Sequence, residues 1–128
     1  MNALRFTVCG PPVGYYAEGK APNQTRRRRY VEWKRLVAVE LWQQCGIRVP
    51  LLARKEHPLV VRTVTWFRNG RHADPENVHK GVKDALFYNA KGGDKYTGGS
   101  YDPPRYDPTN PRVDVFVTCG DITEETTR

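Results

Sequence analysis

No run of apolar residues in this chain of 128 approaches the roughly 18 that a membrane-spanning helix needs. Residues 1–10 lack the apolar stretch after a basic start that marks a signal peptide. Cysteine is scarce. Cys9, Cys45 and Cys119 make an odd count without C-x-x-C spacing, which argues against a disulfide framework and against a zinc site. Cys9 and Cys119 fall at the ends of expected strands, where they are candidate neighbours with a packing role. There is no internal repeat, no P-loop and no G-x-G-x-x-G pattern. His72-Ala73-Asp74 matches the H-x-E half of a zinc deaminase only loosely, and the P-C-x-x-C half is missing. The expectation is a soluble cytoplasmic protein with reduced thiols and no membrane partner.

What is present points elsewhere. Hydrophobic residues make up 38% of the chain and charged residues 27%, a globular balance that fits one domain over residues 1–128. The formal net charge is +7. Such an excess suits nucleic acid, an anionic membrane surface or an acidic protein, and nucleic acid is the favoured partner for a small basic domain. The charge is concentrated: Arg26, Arg27, Arg28 and Arg29 form a block, with Lys34 and Arg35 close behind. Residues 120–128 are acidic on balance and read as a solvated tail.

Periodicity places the elements. Leu4, Phe6 and Val8 alternate with Arg5 and Thr7 as in a half-buried strand, ended by Gly10-Pro11-Pro12. Residues 14–24 read as an exposed loop. Tyr30, Trp33, Val37 and Leu41 recur at helical spacing within about 25–45, and Gly46 is the stop. Residues 59–68 carry apolar groups on both faces, the pattern of a central strand covered on both sides. A second helix is predicted over about 75–88, with Asp74 as N-cap, Pro75 as first residue and Val78, Val82, Ala85 and Leu86 as its apolar face. Residues 98–111 look like a loop-rich insertion, with one short strand between the second helix and the last strand as the alternative. Val113, Val115 and Val117 alternate in a final strand. The expected fold class is α/β (α+β): a small mixed sheet flanked by two helices.

The chemistry is concentrated at the second helix. Asp74 and Glu76 stand two residues apart where a central strand feeds a helix, so their carboxylates can converge on one divalent ion. Magnesium takes hard oxygen ligands and keeps several waters, so two or three carboxylates suffice. Lys80 lies one turn after Glu76 on the same face, where its charge can meet a phosphate gaining negative charge. The bland reading is an ordinary helix opening with an exposed Glu76–Lys80 pair worth at most about 0.5 kcal/mol. His72 and His79 flank the acids and read as surface histidines contacting backbone or DNA, with an acid–base role at the phosphate as the alternative. Asp84 reads as a helix anchor paired with Lys80 or Lys83.

The run Asp74-Pro-Glu76-Asn-Val-His-Lys80, followed by Lys83-Asp84-Ala85-Leu86, resembles the D-x-D-N-x-x-K-x-x-x-D-A-L pattern of the RusA family of Holliday junction resolvases. The opening strand with Gly-Pro-Pro, the following tyrosines, the basic helix and the last strand are similar as well. The resemblance implies an α/β homodimer, bacterial or phage-encoded, that cuts four-way DNA junctions symmetrically with Mg2+ in recombination and repair. It implies Asp74, Glu76 and Asp94 as metal-binding acids and Lys80 as the essential lysine. Glu76 stands where the family has aspartate, and an acidic pair is reduced to Gly93-Asp94. Asp102, Asp107 and Asp114 therefore remain alternatives for the third carboxylate.

Arg26, Arg27, Arg28, Arg29, Lys34, Arg71 and Lys80, with Arg35 and Arg68, are the candidate phosphate contacts, which position DNA without reading its sequence. Tyr15, Tyr16, Tyr96 and Tyr101 are candidates for stacking on opened bases, or equally for packing over sheet edges. Two other classes stay open: a non-catalytic DNA-binding module, and a magnesium nuclease with another branched-DNA preference.

Overall fold

A computed structural model describes residues 3–16, 24–87 and 95–119 of the chain. The described elements run β1 (Ala3–Cys9), α1 (Gln24–Cys45), β2 (Leu59–Phe67), α2 (Pro75–Phe87), β3 (Thr97–Tyr101), β4 (Arg105–Tyr106) and β5 (Arg112–Cys119). The mixed sheet has the order β1-β5-β2-β3, with β4 also pairing with β2. β5 is antiparallel to both β1 and β2, whereas β3 and β4 run parallel to β2. The chain is therefore a small single-domain α+β fold, a mixed sheet with two helices.

Helix α1 buries Tyr30, Trp33, Val37 and Leu41, the stripe that 3.6-residue spacing picks out. It stops at Gly46, whose φ of +70° suits glycine and whose N–H donates to the Trp42 carbonyl at 2.8 Å. Helix α2 buries Val78, Val82, Ala85 and Leu86 as its pattern requires. Both helices join one core with Phe6 and Val8 of β1, Val61 and Phe67 of β2, and Val113, Val115 and Val117 of β5. The register confirms a shared face, since Phe6 and Thr63 both pair with Val115.

Three expectations need correction. β2 is central by pairing, but both helices lie on one of its faces. On the other face Phe116 lies between the guanidinium groups of Arg5 and Arg62, and Trp66 between those of Arg105 and Arg112. Val64 is buried on this face between Arg62 and Trp66 along β2, although both helices pack on the opposite face. Secondly, the loop-rich region, where one short strand is the alternative, contains two, β3 and β4. Gly99 approaches β2 so closely that a Cβ there would collide with the Val61 carbonyl oxygen. Thirdly, Cys9 and Cys119 are not neighbours. The antiparallel register sets Cys9 opposite Arg112 and Cys119 opposite Leu59, and all three thiols are free. The acidic tail, residues 120–128, lies outside the described residues. Among the described residues no helix is long and apolar enough to cross a membrane.

Candidate active site

The β2–α2 junction is built as the sequence suggests. Asp74 Oδ1 accepts a hydrogen bond from the Glu76 backbone N–H at 2.9 Å, and the Asp74 carbonyl accepts the Val78 N–H at 3.0 Å. The cap fixes Asp74 at the mouth of α2, and Pro75 loses nothing as a first helical residue because that N–H has no intrahelical acceptor. The segment following β1 closes over this junction. The Tyr15 N–H donates to the Asn77 carbonyl at 3.0 Å. Gly14 makes that approach possible, since a Cβ there would stand 3.2 Å from Ala73 Cβ and 3.6 Å from Asn77 Cβ.

The result is a cleft of about 630 Å3 whose lining includes Asp74, Asn77, Tyr15, Tyr16, Arg26 and Arg29. An exposed carboxylate and a neighbouring amide thus face two arginines from the first turns of α1. Glu76 and Lys80 lie exposed on the first turns of α2. Among the described residues neither side chain has a hydrogen bond or ion pair, so the simple Glu76–Lys80 pair does not form. Asp94 lies outside the described residues, as do residues 88–93. Among the described residues no three His, Cys, Asp or Glu side chains are grouped to hold a metal ion.

The alternatives to Asp94 are placed clearly. Asp102 accepts Arg62 through both oxygens, at 3.0 and 2.7 Å, and Arg105 at 3.1 Å. The Arg62 hydrogen bond holds its carboxyl below the usual aspartate range, aided by the nearby Arg105 charge. Asp107 accepts the Thr109 hydroxyl and Arg112, both at 2.9 Å, and these bonds lower its pKa likewise. Asp114 accepts Thr7 Oγ1 at 2.9 Å and Trp66 Nε1 at 3.0 Å. Arg62, Trp66, Arg112 and Asp114 belong to the sheet face away from the helices. All three carboxylates are engaged there, on the wrong side of the sheet from Asp74.

The basic residues divide between sites. Arg26 and Arg29 line the Asp74 cleft, and Arg27 lines a second cleft beyond the tyrosines. Arg28 is exposed on the same helix. Lys34 is bound to Asp84 Oδ2 at 3.1 Å, beside the Tyr30 hydroxyl at 2.7 Å on the same oxygen. Asp84 therefore anchors α2 to α1, not to its own helix. The exposed Arg71 donates its backbone N–H to Asn69 Oδ1 at 2.9 Å in the β2–α2 turn.

The two histidines differ: part-exposed His72 contacts backbone, as expected, whereas His79 is buried. His72 stacks on Phe67, with ring centroids 3.9 Å apart. Its Nδ1 lies 2.7 Å from the Ala73 carbonyl, which can only accept, so Nδ1 carries the proton; Nε2 then accepts from the Tyr106 hydroxyl at 3.0 Å. His79 turns into the core, 2.9 Å from Thr63 Oγ1 through Nδ1, and burial with the nearby Lys83 charge lowers its pKa to about 4. Asn77 is the residue to which sequence reasoning assigned no role. Its place three residues after the cap, on the first turn of α2, was the available signal.

No protein-family model and no curated protein matches the chain.

The oxygen donors at this junction fit a magnesium ion. Asp74 has one carboxylate oxygen outside its capping bond and lines the cleft with Asn77, and Glu76 stands exposed one position before Asn77, outside the residues that line it. All are hard donors, and such an ion keeps most of its waters.

Proposed function

We propose that this chain is a magnesium-dependent endodeoxyribonuclease of the RusA type that resolves four-way DNA junctions as a homodimer in the cytoplasm. The observation that carries the reading is the Asp74 carboxylate standing in a cleft walled by Arg26 and Arg29. An acid in a basic cleft matches a phosphodiester held by cations next to a metal-binding group. When bound, magnesium would polarise the phosphoryl oxygens and lower the pKa of attacking water. Asp74 and Glu76 would hold it, with Asp94 as the proposed third acid. Arg26 and Arg29 would hold and orient the phosphate. Lys80, one turn beyond Glu76, would bring positive charge to the phosphate oxygens as they gain negative charge. Two scissile phosphates related by two-fold symmetry call for two such sites, which is the physical case for a dimer.

A second reading is a DNA-binding module without cleavage, since a basic cleft would also hold phosphate with no metal chemistry. Incubating the protein with an end-labelled four-way junction and a matched linear duplex, with magnesium or chelator, separates the two. The nuclease gives paired symmetric nicks in the junction only, and only with magnesium. The binding module retards DNA in chelator, in a salt-sensitive way, and leaves every strand intact. Nicks in flaps or forks in preference to junctions would instead mark a nuclease of another branched-DNA preference.

A further inference from the structure

The Asp74 cleft does not end at the tyrosines. A second cleft of about 680 Å3 begins on their far side, and Tyr15 and Tyr16 line both. Its other wall is the flank of α1, and its floor is the packed seam between α1 and α2. This space is not used by the reaction proposed above, yet it adjoins the reacting phosphate.

The lining is of three kinds. Tyr15, Tyr16 and Tyr30 bring aromatic surface, with Tyr15 set edge-on to Tyr30 at 5.5 Å and 86°. Val31, Ala38 and Val49 supply an apolar wall, and Val31 is 40% exposed. Arg27, Lys34 and Arg35 ring the opening with positive charge. Asp84, the one acid among the described lining residues, is bound by Lys34 and by the Tyr30 hydroxyl, so its charge is balanced within the wall. Burial and the Asp84 bond push the Tyr30 phenol well above its ordinary pKa, so it stays a neutral donor. Aromatic rings beside an apolar wall suit the face of a nucleobase, and arginines at the rim suit its phosphate. The volume is that of a site for one small molecule. A base still paired in a duplex is stacked on both faces and cannot enter.

We propose that this second cleft is a binding site for one unpaired deoxynucleotide adjoining the phosphate at Asp74, its base against Tyr15, Tyr16 and Ala38 and its phosphate on Arg27 and Arg35. The proposal rests on the DNA-acting reading of the Asp74 cleft and extends it. The tyrosine pair forms the divide over which the strand passes, so the two clefts together hold a short unstacked segment. A branch point supplies such a segment more readily than a continuous duplex does.

The test uses the full chain, labelled with 15N, titrated in chelator with dAMP, with deoxyadenosine and with inorganic phosphate in separate NMR experiments. No metal or cleavage is needed, so failure of the nuclease reading leaves this test intact. The expected result is saturable dAMP shifts at the amides of Val31, Arg35, Ala38 and Ala85, weaker shifts with deoxyadenosine, and no such pattern with phosphate. Ala38→Trp fills the cleft and removes the response. Arg35→Gln, an exposed change that spares the packing, weakens dAMP binding by roughly three- to tenfold. The proposal is overturned if phosphate alone reproduces the pattern. It is equally overturned if shifts cluster only about Asp74 and Asn77, if no saturation occurs into the millimolar range, or if folded Ala38→Trp binds dAMP unchanged.

Discussion

Asp74 Oδ1 accepts the Glu76 backbone N–H at 2.9 Å, so the first acid of the proposed site is also the cap of the helix that carries the second. Structural and chemical roles can be separated because asparagine caps as well as aspartate but brings no charge. Asp74→Asn is predicted to keep its melting temperature while losing roughly a hundredfold or more in junction cleavage. Asp74→Ala should lose cleavage and also about 1 kcal/mol of stability, read from urea unfolding.

The third acid is settled by comparing four substitutions. Asp102, Asp107 and Asp114 are engaged with arginine, tryptophan or threonine on the far face of the sheet. Asp102→Asn, Asp107→Asn and Asp114→Asn are each expected to retain cleavage. Asp94→Asn is expected to abolish cleavage with junction binding preserved. Loss of cleavage in a folded Asp102, Asp107 or Asp114 variant, with Asp94→Asn active, would move the third ligand.

Much of this arrangement was legible in the sequence. Tyr30, Trp33, Val37 and Leu41 define α1 because each buried position repeats the helical period. Asp74-Pro75 defines the start of α2 because cap and proline chemistry are local. The place of strand β3 was not legible, although room for a short strand was, since Thr-Gly-Gly-Ser-Tyr has little strand propensity and its small residues answer to contact with β2. The open sheet face was misread because Val64 and Trp66 look like core. Trp66 is covered instead by Arg105 and Arg112 from the neighbouring strands, which only the register brings there. The alternation of Val113, Val115 and Val117 already sets Asp114 on the opposite face of its strand, and the register adds its neighbours Thr7 and Val64 there.

His79 gives the fold a pH dependence with a definite sign. Its pKa is lowered to about 4 by burial, against an ordinary value of 6.5, so the unfolded chain takes up this proton first as pH falls. Its neutral form supports the fold fully above about pH 6.5, and the contribution is lost progressively toward pH 4. The whole effect amounts to about 3 kcal/mol at most. Urea midpoints measured from pH 7 to pH 4 should fall for the wild type, and the corresponding fall should be smaller in His79→Gln.

Gly99 tests the contact between β2 and β3. A Cβ at this position would collide with the Val61 carbonyl oxygen and stand 3.2 Å from His79 Cε1. Gly99→Ala is predicted to cost about 1–3 kcal/mol, with faster amide exchange across β3. An unchanged urea midpoint would show that the strand pair accommodates the methyl group.

On the proposed reading, Asp74 sits at a metal-dependent phosphodiesterase centre. The most direct test of this reading sets wild type and Asp74→Asn side by side on an end-labelled four-way junction, with binding measured in chelator and cleavage after adding magnesium. Equal binding by both proteins, with paired symmetric nicks from the wild type alone, is the predicted result. Tight junction binding by the wild type with no cleavage in magnesium, or undiminished cleavage by Asp74→Asn, would contradict it.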